Sequence, residues 1–189
     1  MEENYILISA LNDFIFCPYS IYLHNVYENT DESLYHATPQ TQGRISHTTV
    51  DEKKSSTRKD VLQAFPVYSE RYGLMGKIDV YKGSEKYLIE RKYQLKQIFR
   101  GQIYQLWAQM LCLREMGYEV ERLAFYEIST GRTIPVSLPT DGELLEFDTF
   151  LQAFRCYNPS SPFTPNLNKC RHCIYCSLCD KTAEDNVYQ

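Results

Sequence analysis

Four cysteines fall within ten residues near one end of the chain, in Cys170-Arg-His-Cys173-Ile-Tyr-Cys176-Ser-Leu-Cys179. Such density limits what this end of the chain can become. Cysteines two residues apart make strained disulfides, and the sequence shows no secretory apolar segment that would carry it to an oxidising compartment. Thiolates at C-x2-C spacing converge instead from tight turns onto a soft metal. Tetrahedral zinc and an iron–sulfur cluster both satisfy that spacing.

The 189 residues suit one domain, large enough for a proper core, with room for a small appendage. No apolar run approaches the ~20 residues of a membrane span, so the expectation is a cytoplasmic protein with no membrane partner. Net charge is −4, which argues against a general nucleic-acid coat protein. The charge is unevenly placed. Residues 82–100 hold Lys82, Lys86, Arg91, Lys92, Lys96 and Arg100 against Glu85 and Glu90, a net +4. Lys53, Lys54, Arg58 and Lys59 form a second basic patch. Runs of this kind are often solvated faces, and two of them beside one site also make a phosphate-facing surface. The candidate DNA contacts are Arg44, Lys53, Lys54, Arg58, Lys59, Lys96 and Arg100.

The order of elements predicts a mixed α/β chain. Ser9–Tyr27 reads as helical, interrupted at Pro18, which cannot donate the helical hydrogen bond. Residues 28–42 read as a polar loop, and residues 43–54 as a helix carrying His47. Strand character begins at Phe65. Leu74–Tyr81 and Lys86–Lys92 then form a hairpin about the turn Lys82–Glu85. A helix follows over Gly101–Gly117, with strands at Arg122–Ile128 and Arg132–Leu138 and a helix over Gly142–Arg155. The connector Asn158–Pro165 leads into the cysteine run.

The hairpin carries the candidate chemistry. Glu90 and Lys92 lie two apart on one strand, so they share a face. Pairing Tyr81 with Lys86 would set Asp79 opposite Leu88 and diagonal to Glu90, on that same face. Two carboxylates so placed can share a hard divalent ion, with Lys92 beside it to hold a water or neutralise a phosphate. A solvated edge sheet would use the same residues, but the neighbouring Val80, Leu88 and Ile89 predict a strand that is not freely exposed.

Gly76-Lys-Ile-Asp79 followed by Glu90-Arg-Lys92 resembles the D…(D/E)-x-K motif of the restriction-endonuclease-like nuclease superfamily. Gly43-Arg44-Ile-Ser-His47 is similar to the G-x-x-x-H segment of its RecB-type branch, and Gln105-Leu-Trp-Ala-Gln109 to that branch's Q-L-x-x-Y motif, with Gln109 in place of the usual tyrosine. Taken alone, His47 beside Asp51 is more often a helix-surface pair than a ligand, and Gln102, Gln105 and Gln109 are usually the wet side of an amphipathic helix. Cys17 with Cys170-x2-Cys173-x5-Cys179 matches the one-plus-three cysteine pattern of the cluster-bearing members. The whole, from Leu7 to Asp180, resembles the CRISPR-associated Cas-four family of adaptation nucleases. Two departures stand out: Cys176 is a fourth thiol at the C-terminal end, and Tyr19 occupies the position after Cys-Pro where a basic residue is common.

The resemblance implies a restriction-endonuclease-like mixed central sheet flanked by helices, with a small helical iron–sulfur subdomain built from both termini. On residues 1–189 that means one RecB-like domain, with the nuclease core at about 43–155 and the clasp at 1–27 and 156–189. It implies a [4Fe-4S] cluster on Cys17, Cys170, Cys173 and Cys179, with Cys176 as the alternative ligand. It further implies Mg2+ or Mn2+ on His47, Asp79, Glu90 and the backbone carbonyl of Arg91, with Lys92 orienting the attacking water and Gln105 positioning the DNA backbone. Hydrolysis would leave a 5′-phosphate and a 3′-hydroxyl. The implied partners are DNA with single-stranded overhangs and the CRISPR integrase complex, for which such proteins trim prespacers and help select the protospacer-adjacent motif. A non-catalytic DNA-reading subunit and a redox centre are the rival classes. Cys112, in an apolar helix, and Cys156 read as structural.

Overall fold

A computed structural model describes residues 5–27 and 60–182. The strands β1 (Ile6–Leu7), β2 (Val61–Ser69), β3 (Leu74–Lys82), β4 (Tyr87–Lys92), β5 (Arg122–Glu127) and β6 (Arg132–Val136) form one mixed sheet. The helices are α1 (Ala10–Phe16), α2 (Pro18–Tyr27), α3 (Arg100–Glu115), α4 (Asp141–Arg155) and the single turn α5 (Leu167–Cys170). The expected mixed α/β class is observed, and the helix break falls at Cys17, immediately before Pro18, as its missing N–H requires. The strand expected from Phe65 starts at Val61, and β1 and α5 are additions the sequence did not announce.

Strand β3 organises the sheet. It pairs antiparallel with β2 from Ser69↔Leu74 to Val61↔Lys82, with one rung missing at Asp79. That leaves its other edge to be shared: β1 pairs with Leu74 and Met75, and β4 with Val80, Tyr81 and Lys82. Residues 76–79 lie between the two, and among the described residues no strand pairs with them on that side. From β4 the sheet continues parallel to β5 and antiparallel to β6.

The hairpin register differs from the expected one. Tyr81 pairs with Leu88 instead of Lys86, because Gly83–Glu85 forms a 3-10 turn and Lys86 closes it in the left-handed conformation at φ 48°. The shift is two residues, so each side chain keeps its face. Continued past Val80↔Ile89, this register would set Asp79 across from Glu90 instead of diagonal to it, but the ladder stops there.

Helix α3 crosses the sheet and supplies much of the core. Leu106, Ala108, Met110, Cys112 and Leu113 are fully buried among Leu11, Ile78, Leu88, Phe125, Phe147 and Leu151. Gly101 permits α1 to approach: a Cβ there would lie 2.8 Å from the Cα of Asn12. An aromatic stack joins three helices, with Phe14 against Phe150 and Phe154, and Tyr104 against Phe147 and Phe150. Helix α4 starts at a capping box, in which Thr140 accepts from the Glu143 N–H and the Glu143 carboxylate returns to the Thr140 N–H at 2.8 Å.

A second, smaller apolar cluster joins the two ends of the described chain. Tyr19 and Leu23 of α2 pack on Tyr175, with Phe163, Ile174 and several cysteines around them. Tyr19 donates to the Asp180 carboxylate at 2.6 Å, His24 and Tyr175 share a hydrogen bond at 2.9 Å, and Lys169 donates to the Ile15 carbonyl at 3.1 Å. Among the described residues no helix is long and apolar enough to cross a membrane.

Candidate active site

At the point where β3 and β4 separate, five polar side chains of the predicted motifs gather. Lys92 donates to the Glu90 carboxylate at 2.9 Å and lies 3.4 Å from the Gln105 side-chain oxygen. Gln105 in turn donates to the Ser9 carbonyl at 3.0 Å, tying the lysine to the start of α1. The other Glu90 oxygen accepts from Gln109 at 2.8 Å. Asp79 accepts from the backbone N–H of Arg91 at 2.7 Å.

Burial makes these contacts consequential. Glu90 is 6% exposed, Gln105 8% and Gln109 3%, so neither glutamine belongs to the wet side of α3. A carboxylate this buried is costly unless paired, and Lys92 with Gln109 supplies the pairing. Burial opposes the charge on Lys92, but Glu90 beside it, with Asp79 and Asp13 behind, more than offsets this and holds the ammonium above its usual pKa. Asp13 lies one helical turn from Ser9. Burial raises its carboxyl, while His24 and Lys92 draw it back down.

Asp79 occupies an irregular point in the sheet. The rung between it and Ala64 is missing from an otherwise continuous β2–β3 ladder, and Ala64 has φ 48°. Buried positions on β3 run Leu74, Ile78, Tyr81, so the inward phase slips between Ile78 and Tyr81. The strict alternation expected from the sequence therefore does not run through Asp79. Strain of this kind, in a non-glycine strand residue, concentrates at functional sites.

The remaining sequence-predicted residues divide clearly. His47, Arg44, Lys53, Lys54, Arg58 and Lys59 lie outside the described residues. Lys96 is exposed. Arg100, also exposed, donates to the Tyr104 hydroxyl at 2.9 Å, stacks over its ring and pairs with Glu146. The residues missed by sequence reasoning are Asp13, for which no motif spoke, and Gln109 as a ligand of Glu90. The signal for Gln109 was its i,i+4 spacing from Gln105, which places both on one helix face.

The cysteines gather at the junction of the two ends. Cys17, Cys170, Cys173, Cys176 and Cys179 all line one cavity of about 120 Å³, and none forms a disulfide. Burial pushes the Cys173 thiol up to about 11, with Cys17, Cys179 and Cys170 adding to it. Cys170 is also raised, by burial first and then by Cys176, Cys17 and Cys179. Among the described residues no three His, Cys, Asp or Glu side chains form a group tight enough for a single metal ion. Cys112 is buried in α3 with its thiol raised by that burial to about 12, and Cys156 is exposed at the end of α4.

No family model and no curated protein matches the chain. Among solved structures, the crystal structure of SSO0001 matches with a TM-score of 0.61 at 17% identity, covering 97% of this chain and 89% of that one. At that identity the likeness is one of fold, and it extends over both the sheet and the cysteine-lined end.

Proposed function

We propose that this chain is a metal-dependent DNA nuclease with a restriction-endonuclease-like core, of the Cas-four kind. It would trim single-stranded prespacer overhangs and help select the protospacer-adjacent motif beside the CRISPR integrase. The observation that carries the reading is the Glu90–Lys92–Gln105 chain of contacts at the β3–β4 fork, next to Asp79. A buried acid, a lysine two residues on and an aspartate on the adjoining strand are the parts that phosphodiester hydrolysis needs.

The residues present fit a hard divalent ion. An ionised carboxylate has about four acceptor positions, so Glu90 retains capacity beyond Lys92 and Gln109, and Asp79 beyond Arg91. Mg2+ or Mn2+, when bound, supplies the Lewis acidity for attack by water on a phosphodiester. Asp79 and Glu90 would hold it, with the Arg91 carbonyl and His47 as the further ligands that the resemblance implies. Lys92 orients the water and neutralises charge that builds on the phosphate. Gln105 fixes the lysine through Ser9 and so sets where its ammonium stands.

The thiol-lined cavity fits a cluster better than a single ion, since four iron corners take one thiolate each and need no tight group of three. All five thiols line that cavity, so its lining alone does not choose among them. The family spacing favours Cys17, Cys170, Cys173 and Cys179 as the [4Fe-4S] ligands, with Cys176 as the alternative. The cluster would fasten α1–α2 to the C-terminal segment, which the Tyr19–Asp180 bond and the Tyr175 cluster already hold together.

The test is anaerobic purification followed by a Mn2+ assay on duplexes with single-stranded overhangs, comparing wild type with Lys92→Ala. Cleavage that requires both the metal and Lys92 is expected. DNA binding without such cleavage, with or without the integrase, would defeat the enzyme and leave a non-catalytic DNA-reading subunit.

A further inference from the structure

Strand β3 leaves a gap on the edge that β1 and β4 share, over residues 76–79. Carbonyls along a strand alternate between its two edges. The Met75 carbonyl accepts from the Ile8 N–H on the β1 side, so the Lys77 carbonyl, two residues on, points to the same edge and into the gap. Among the described residues no strand pairs with it there.

Gln109 fills that place from helix α3. Its side-chain amide donates to the Glu90 carboxylate at 2.8 Å and lies 3.4 Å from the Lys77 carbonyl. Both contacts are acceptors, which fixes the NH2 as the atom facing the fork. The amide thus bridges β3 and β4 just where their own ladder has ended. Among the described residues its Oε1 is buried and has no partner.

We propose that Gln109 is a positioning residue for the metal cradle. It sets the spacing of Glu90 from β3, its NH2 donating to the Glu90 carboxylate and toward the Lys77 carbonyl. This rests on the nuclease reading and adds to it a residue that acts through Glu90. A tyrosine at 109 could donate to Glu90 as well, but its one O–H could not also serve the Lys77 carbonyl.

Mn2+ binding, followed by electron paramagnetic resonance and by calorimetry, separates this role from simple packing. Partners that orient a metal ligand are worth about 10- to 100-fold in metal affinity. Gln109→Met is therefore expected to weaken Mn2+ binding by about 10- to 100-fold, with the cleavage rate at saturating Mn2+ changing less than the affinity. Gln109→Tyr, which keeps one donor where the amide has two, should fall between Gln109→Met and wild type. It also carries the test alone, as binding weaker than wild type, should the methionine variant not fold. Mn2+ affinity within about twofold of wild type in either variant overturns the role of Gln109 and leaves the nuclease reading standing. A wild-type chain that binds no Mn2+ overturns both.

Discussion

Asp79 and Arg91 are joined by a side chain where a strand ladder would otherwise run: the carboxylate of one accepts the backbone N–H of the other at 2.7 Å, one step beyond the last β3–β4 pair. The aspartate therefore has two separable duties, closing the fork and, on the proposed reading, offering a charge to a metal. Asp79→Asn keeps an acceptor oxygen and removes the charge. Its thermal midpoint should stay near wild type while Mn2+-dependent cleavage falls by about 100-fold or more. Asp79→Ala removes the tie as well and should cost a further ~1–2 kcal/mol in denaturant unfolding. Equal cleavage by Asp79→Asn and wild type would remove the aspartate from the chemistry.

The Lys92–Glu90 pair is mostly shielded, with the two side chains 22% and 7% exposed. Removing one member leaves the other's charge without its main partner. Lys92→Met should therefore lower stability by ~2–4 kcal/mol, less than for a fully buried pair because the lysine retains some water. Glu90→Gln added to Lys92→Met should recover much of that loss, since no lone charge then remains. A double-mutant cycle in urea measures the coupling, and additive effects would show that the pair is only a surface contact.

Much of this site was legible because it depends on a period of two. Glu90 and Lys92 share a face in any register, so a two-residue error in the turn did no harm. That error arose because Lys86 takes a left-handed conformation without being glycine or asparagine, which the chain does not advertise. Asp79 was harder. The missing rung beside it falls at Ala64, a residue with no sequence sign of φ 48°. The burial of Gln105 and Gln109 depends on the gap in β3, and such a gap is set by three strands far apart in sequence. Tyr19, read as a lost basic contact, instead ties α2 to Asp180 across 161 positions.

Ala64 offers a direct check on that irregularity. A left-handed conformation costs a non-glycine residue ~1 kcal/mol, and glycine is free of the penalty. Ala64→Gly should thus be neutral or stabilising by up to ~1 kcal/mol, where the same change inside a regular strand would destabilise. A clear loss in thermal midpoint would show that Ala64 is not held at positive φ in solution.

Two glycines in helices should respond in opposite ways to alanine. At Gly101 a Cβ would meet the backbone of Asn12 at 2.8 Å, so Gly101→Ala must push α1 away from α3 and should cost ~1–3 kcal/mol. Because α1 also holds Gln105 through Ser9, cleavage should fall with it. At Gly142, in the first turn of α4, nothing lies within 4 Å, and Gly142→Ala should stabilise by ~0.5–1 kcal/mol. Thermal melts of the two variants side by side decide the matter. Similar shifts in both would contradict the close α1–α3 contact.

Glu115 closes the turn between β2 and β3, accepting from Ser69 and from the backbone N–H groups of Glu70 and Arg71. The Ser69 hydroxyl above all holds its carboxyl below the ordinary value of 4.5; burial opposes it, and the N–H and charge of Arg71, with the Glu70 N–H, add to the lowering. A folded-state pKa that is lowered contributes stability above the unfolded value. That contribution is lost as pH falls through the lowered one. Glu115→Gln should therefore be less stable than wild type at pH 7, by no more than ~1 kcal/mol because the group is exposed. The difference should shrink steadily below pH 4.5 and vanish in stronger acid. A difference that stays constant from pH 7 to pH 3 would mean that the charge plays no part.

The five thiols around one cavity make the most specific prediction about the chain's ends. Cysteines with raised pKa values hold their protons at neutral pH, so loading must displace them and should proceed better at alkaline pH. Anaerobic reconstitution with iron and sulfide should give a brown protein absorbing near the blue end of the visible range. Single serine replacements at Cys17, Cys170, Cys173 and Cys179 should each abolish or strongly reduce that absorbance, and Cys176→Ser should retain it. Loss at Cys176 with retention at Cys179 would exchange their roles, making the ligands a C-x2-C-x2-C run with Cys17. A colourless wild type that takes up zinc instead would sink the cluster. Because the cavity joins α2 to the C-terminal segment, a loaded cluster should also slow proteolysis of both ends together.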